Sequence, residues 1–346
     1  YGSNDAILIK STFSGDHVWS RTWGGSGDDV ASAVAVDSLS NIYLTGRKDI
    51  PNDVIFLVKY DVIGNKIWQR TWNGVSDVQS RGIAIDSHND IYIVGYGGGN
   101  MVLIKYNRYG AVIWERNWVF SRGYDIRIDS QDNVYVTGAT RSFTDGSNDM
   151  FLVKYNSLGT QLWKRTWGGI DSDISYSITI DPEDNIYIGG TTESYGTIGV
   201  SNIALLKYDG SGNLIWNSTY MKGGCKSIDI DSYGNITVTG IVYIDGDSYI
   251  YVGTYNSFGQ PTWNTTWGHE MAMINEPWGV RLDRFDNIYV SGYTEYYEGN
   301  HDMSVLLKYS KLINKSPPTI QGYSLISLFG VNSLLLVVLI RKKIKK

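Results

Sequence analysis

A hairpin that returns at a near-constant period constrains this chain more than any other feature. Residues 148–169, NDMFLVKYNSLGTQLWKRTWGG, show the unit. FLVKY is an apolar, β-branched and aromatic run of strand length. NSLG is a turn in which Gly159 is free to take positive φ. QLWKRTW alternates, so Trp163, Arg165 and Trp167 share one side while Lys164 and Thr166 take the other. Gly168 and Gly169 then break the strand. Lys10, Lys59, Lys105, Lys154, Lys207 and Lys308 mark the first strand of each copy, and a degenerate VGTY ends at Tyr255. Trp19, Trp68, Trp114, Trp163, Trp216 and Trp263 mark the second, followed four residues on by Trp23, Trp72, Trp118, Trp167, Tyr220 and Trp267.

A second hairpin alternates with the first. IDSHNDIYIVG, IDSQDNVYVTG, IDPEDNIYIGG and LDRFDNIYVSG are copies of it, and its closing glycines are Gly46, Gly95, Gly138, Gly190, Gly240 and Gly292. The period, roughly 46 to 54 residues, suits a four-stranded blade, so the fold class predicted is all-β, a β-propeller. With the strands of one repeat lettered a to d, the sequence holds six a, six b, seven c and six d. It opens with c–d and closes with a–b–c. An open sheet edge is costly, so the ring must close. A six-bladed closure uses residues 17–23 as the last d strand. A seven-bladed closure uses every strand and is preferred; it reads the chain, which starts at Tyr1 inside a repeat, as N-terminally incomplete or processed.

Turns sort by face. The a–b turns (DSLSN, DSHND, DSQDN, DPEDN, DSYGN, DRFDN) and the c–d turns (YDVIG, YNRYG, YNSLG, YDGSG, YNSFG) are uniform. The b–c connections vary in length and sequence, and variable loops on a rigid scaffold are where recognition concentrates. Strand c begins with Asp at Asp5, Asp53, Asp149, Asp247 and Asp302, with Asp28, Asp29, Asp171, Asp173, Glu193, Glu295 and Glu298 nearby. Candidate ligand contacts on this face are Asp53, Asp149, Asp247 and Asp302, with loop aromatics Tyr195, Tyr296 and Tyr297. The D-x-x-x-N turns are read as Asp capping its own turn, with Asn tolerating left-handed φ, rather than as calcium loops. The strand-d aromatics are read as packing between blades.

With 346 residues the chain can bury a large core, and a net charge of −5 without a basic patch before the last six residues argues against nucleic acid. One cysteine, Cys225, excludes an intrachain disulfide and a Cys-based zinc site, and reads as a small buried residue. The four histidines have no metal-ligand spacing, and no nucleophile elbow, H-E-x-x-H or phosphate loop is present. No catalytic, cofactor or metal residues are therefore assigned.

The pattern stops near residue 310. Residues 311–319 are a polar linker, 320–340 a predicted transmembrane helix, and 341–346, RKKIKK, a basic tail. The tail predicts a cytoplasmic C-terminus and the repeats outside the cell.

The D-x-x-x-N-I-Y-x-x-G, F-L-x-K-Y-x-x-x-G-x-x-x-W and T-W-G-G elements resemble the bacterial and archaeal beta-propeller repeat family called SBBP, over about residues 1–310. That resemblance implies the fold and no particular activity. YDGSGNLIW, residues 208–216, is similar to a docking motif of pyrroloquinoline quinone dehydrogenase propellers, whose vicinal disulfide a single cysteine excludes. The expected function is a surface-anchored, non-enzymatic scaffold for an extracellular protein or glycan. The alternative is an extracellular propeller enzyme of quinoprotein or polysaccharide-lyase type, which requires a His or Lys beside two carboxylates or a metal.

Overall fold

The structure, a computed structural model, describes residues 5–12, 16–49, 53–74, 76–141, 147–196, 199–268, 272–296, 303–309 and 335–336. Among the described residues there are 25 strands and no helix. The chain divides into two compact units, one of residues 1–142, 153–163 and 327–346, the other of residues 143–152 and 164–326.

The strands before residue 310 follow the predicted order, and one short strand, Leu335–Leu336, falls where a helix was predicted. β1 (Ala6–Ser11) and β2 (His17–Trp23) are the opening c–d hairpin. β3 (Asp29–Val36), β4 (Ile42–Lys48), β5 (Val54–Tyr60) and β6 (Lys66–Trp72) form a four-stranded antiparallel meander. β7 (Gln79–Ile85), β8 (Ile91–Gly97), β9 (Asn100–Tyr106) and β10 (Val112–Trp118) form the next. β11 (Ser121–Ile128), β12 (Val134–Thr140), β13 (Asp149–Tyr155) and β14 (Gln161–Trp167) form the third. β15 (Asp173–Ile180), β16 (Ile186–Thr192), β17 (Asn202–Tyr208), β18 (Leu214–Ile230), β19 (Ile236–Ile244), β20 (Asp247–Tyr255) and β21 (Pro261–Trp267) are joined because β18 runs without a break from strand d of one repeat into strand a of the next. β22 (Ala272–Leu282), β23 (Ile288–Tyr296) and β24 (Met303–Tyr309) are the final a–b–c, and β25 (Leu335–Leu336) pairs with β1. Counting β18 twice, the strands by type match the number read from the sequence.

Strands b and c read as continuous apolar runs because both of their faces are covered. In β5, Phe56 and Val58 pack with Leu8, Trp19 and Trp23 of the preceding hairpin. Their neighbours Ile55 and Leu57 pack with Ile83, Ile93 and Ile104 of the following sheet. The pleat thus sends alternate residues into two cores. The second unit repeats this: Tyr251 and Tyr255 join Cys225 and Ile228 in one core, while Ile250 and Val252 join Val280 and Val290 in another.

The closing glycines answer to a bulge. Each a strand shifts register opposite its glycine, at Ala31/Ala33, Ser80/Gly82, Gly123/Asp125, Ser175/Ser177, Cys225/Ser227 and Pro277/Gly279. A Cβ on Gly46, Gly95, Gly190 or Gly240 would fall on the carbonyl of Val30, Gln79, Ile174 or Gly224, so only glycine admits the bulged backbone.

Cys225 is fully buried, and burial pushes its thiol up to about 12, which makes it the inert packing residue expected. No helix among the described residues is long and apolar enough to cross a membrane. Of the predicted span, all but Leu335–Leu336 lies outside the described residues, as do the linker and the basic tail.

Candidate functional site

The uniform turns are one five-residue device used on both hairpins. In the first a–b turn, Asp37 Oδ1 accepts the N–H groups of Leu39 and Asn41 at 2.9 and 2.8 Å, and Asn41 Nδ2 donates to Oδ2 at 2.8 Å. The c–d turn between β5 and β6 repeats this with Asp61, Ile63 and Asn65. These carboxylates are consumed by their own turns, which supports capping. One detail is corrected: the left-handed residue is the fourth, not the Asn at the fifth position. In the a–b turns it is Ser40, Asn89, Asp132, Asp184, Gly234 or Asp286; in the c–d turns it is Gly64, Gly110, Gly159, Gly212 or Gly259. The Asn is kept instead for its amide, which donates to the Asp.

Behind the a–b turns of all but one repeat lies a cluster that sequence reading missed. Tyr43 Oη donates to Asp37 Oδ2 at 3.1 Å, and Lys59, directly opposite Tyr43 on the neighbouring strand, brings Nζ to 3.6 Å from the same oxygen and 4.9 Å from the ring. Asp86, Tyr92 and Lys105 repeat it, with Trp114 edge-on to Tyr92 at 5.7 Å. So do Asp129, Tyr135 and Lys154, and Asp181, Tyr187 and Lys207. In the degenerate repeat Thr237 and Thr254 stand opposite each other, so Tyr and Lys are lost together. The available signal was that the Lys and the Tyr vanish in the same copy.

Successive repeats are latched. The strand-d arginines reach the carbonyl of the left-handed glycine in the next c–d turn: Arg70 Nε to Gly110, Arg116 to Gly159 and Arg165 to Gly212, at 2.9, 2.7 and 2.7 Å. Where Ser218 replaces the arginine, Tyr220 replaces the second Trp, and its hydroxyl donates to the Gly259 carbonyl instead. The a–b turns are latched too. Ser38, Ser87 and Ser232 donate to Asn89, Asp132 and Asp286, the left-handed residues one repeat on.

On the variable face the structure assembles one compact group in the second unit. Asp149 is 5% exposed and Asp173 is fully buried. Both aim at the space above Gly168: a Cβ there would fall on Asp149 Oδ1 and lie 2.7 Å from Asp173 Oδ2. Gly169 N–H and Ser194 Oγ donate to Asp173 Oδ2 at 2.9 and 2.7 Å. Tyr195, 43% exposed, donates to the Gly168 carbonyl at 2.9 Å and lies 4.8 Å from the Trp167 ring. Burial, and then the Asp173 charge, raise the pKa of Asp149.

The other predicted contacts do not join this group. Asp53 has its own neighbours, with Arg47 3.8 Å away and Asp49 and Asp77 near; burial first, then Asp49, raises its pKa. Asp247 is exposed at the start of β20, opposite Ile244. Tyr296 ends β23. Asp302 and Tyr297 lie outside the described residues.

The bulged residues of the a strands were not anticipated as a group. In the second unit Lys226 forms a 2.7 Å ion pair with Glu276 and lies over Tyr176, while Tyr293 donates to Glu276 and packs on half-exposed Trp278. In the first, Arg81 lies over Tyr96 and Tyr124. The exposed apolar residues Leu39, Ile63, Tyr109, Leu158, Tyr233, Phe258 and Phe285 sit at the tips of the uniform turns, not on the variable face. Among the described residues no three His, Cys, Asp or Glu side chains gather as a metal-ligand group.

No curated protein matches. A solved structure described as the Dos1 propeller is similar, with 11% identity over 80% of this chain and 77% of that one and a TM-score of 0.47. Residues 18–47 and 163–196 match the SBBP beta-propeller repeat, the second segment taking in Trp167, Gly168, Asp173 and Tyr195. Two copies of a unit that recurs along the rest of the sequence thus match this family model, and the chain carries beta-propeller repeats of the SBBP type.

Proposed function

We propose that this chain is a surface-anchored binding module whose b–c and d–a loops take an extracellular protein or glycan. One observation carries the reading. Gly168 sets Trp167 and a half-exposed Tyr195 side by side on the face whose loops differ in every repeat. Rigid, amphipathic aromatics at low entropic cost are the usual anchors of such surfaces. The opposite face is built from one turn copied without change of plan, and offers a scaffold rather than a specific site.

The seven c strands are the number a seven-bladed wheel requires, and the uncharged run before RKKIKK supports a single-pass anchor through residues 320–340. Carbonate extraction of membranes tests the anchor: the chain is expected in the pellet, and its recovery in the supernatant removes that part of the reading. For binding, the detergent-solubilised full chain is screened on glycan and surface-protein arrays. Saturable binding that Tyr195→Ala weakens at least tenfold with the strand circular dichroism unchanged supports the reading. Binding that Tyr195→Ala leaves intact contradicts it.

A further inference from the structure

The acid pair beneath Trp167 lacks something that its counterpart in the first repeat has. Asp5 and Asp29 occupy the equivalent positions, and they too converge above a glycine. A Cβ on Gly24 would fall on Asp5 Oδ1 and lie 2.8 Å from Asp29 Oδ2. Gly25 N–H donates to Asp29 Oδ2 at 2.6 Å, as Gly169 N–H does to Asp173. In both repeats the buried second oxygen, Oδ1 of Asp29 and of Asp173, has no hydrogen-bond partner among the described residues.

The two sites differ in one register position. Lys48 stands opposite Asp29, and Thr192 stands opposite Asp173. The Lys48 ammonium lies beside the first site, 3.2 Å from where a Gly25 Cβ would be. Thr192 brings no charge. Asp149 is almost wholly buried and accepts no hydrogen bond from a described residue. A pair of buried carboxylates without a counter-ion, one of them without a donor, is costly to ionise. Glycine at 168 keeps the space between them clear.

We infer that Asp149 and Asp173 hold a hard divalent cation, calcium by preference, where the first repeat has the Lys48 ammonium nearby. Carboxylate oxygens are the donors such an ion selects, and calcium tolerates the irregular shell that two carboxylates completed by water provide. Magnesium demands a stricter octahedron and gives up water reluctantly, so it binds less well. With two charged ligands the site belongs to the weak, extracellular class, with a dissociation constant on the order of 0.1–1 mM. The ion would sit under the Gly168 turn that carries Trp167 and Tyr195 and would stiffen it. The inference stands whether or not the loops bind a glycan.

Terbium luminescence sensitised by Trp167, with calcium competition, tests it on the full chain at pH 7. One saturable site is expected, displaced by calcium and at least tenfold less well by magnesium. Asp149→Asn should weaken it at least tenfold. Thr192→Lys imports the first repeat's ammonium and should abolish the site while keeping the fold, which separates loss of ligands from loss of structure. No saturable terbium signal, a signal that about 10 mM calcium leaves in place, or a site untouched by both substitutions, overturns the inference.

Discussion

At the residue scale, the left-handed turn positions divide into those under load and those that are not. Gly159 has φ of 78°, and a Cβ there would lie 2.8 Å from Arg116 Nη2 and 2.9 Å from the Trp114 ring. Gly99 has nearly the same φ, with nothing within 4 Å. Gly159→Ala is therefore expected to cost about 2–3 kcal/mol and Gly99→Ala about 1 kcal/mol, measured by urea unfolding. Equal costs would show that only backbone strain matters. The aspartates also divide. Burial on its own would raise Asp37, Asp129 and Asp283, but hydrogen bonds from Asn41, Asn133 and Asn287 and from nearby N–H and hydroxyl groups outweigh it, so all three are lowered. A folded pKa below the unfolded value means that their stabilisation is whole above about pH 4 and is lost as pH falls through the folded pKa. Asp149 is raised, so its sign is opposite: it opposes folding at neutral pH and is relieved as pH falls toward its folded value. In EDTA, Asp129→Asn should lower the melting midpoint at pH 7 and Asp149→Asn should raise it. A shared sign would refute the division.

Elements are where the sequence was most legible and where its silence has a clear cause. Strand order and turn placement followed from alternation, apolar runs and glycines, because these signals are local. The Asp37–Tyr43–Lys59 cluster was not legible in one copy, because its members meet only through strand register. Comparing copies exposes it, since Thr237 and Thr254 replace Tyr and Lys together. The exchange of Arg and Trp for Ser218 and Tyr220 at the latch to Gly259 has the same form. The fourth turn residue was misread because an Asn at the fifth position looks like a left-handed residue until the hydrogen bonds show its amide in use. Lys105 lies buried against Asp86 and Asp90 at 3.2 and 3.1 Å, so Lys105→Met should cost about 3 kcal/mol by leaving both acids unpaired. Adding Asp86→Asn should recover at least about 1 kcal/mol of that loss in a double-mutant cycle. Additive costs would mean that the pair is decorative. Tyr220→Phe should cost about 1 kcal/mol by freeing the Gly259 carbonyl.

For the whole molecule, the sequence separated two kinds of connection but not what each presents. It placed the candidate acids along strand c as one set, Asp53, Asp149, Asp247 and Asp302. The structure pairs Asp149 with Asp173 from the next repeat instead, a partnership that needs the packing of adjacent repeats and shows in the sequence only as a 24-residue spacing shared with Asp5 and Asp29. It also puts exposed apolar tips, Leu158 at 76% among them, on the uniform turns that the sequence read as plain scaffold. The claim at stake is that recognition belongs to the variable loops. The direct test compares two loop-altered full chains for binding to the surface or glycan that captures the parent. In one, residues 193–201 and 170–172 are replaced by glycine–serine turns; in the other, Leu39, Ile63 and Leu158 become Ser. The account predicts that the first loses binding at least tenfold and the second keeps it. Loss in the second with binding kept in the first would contradict it.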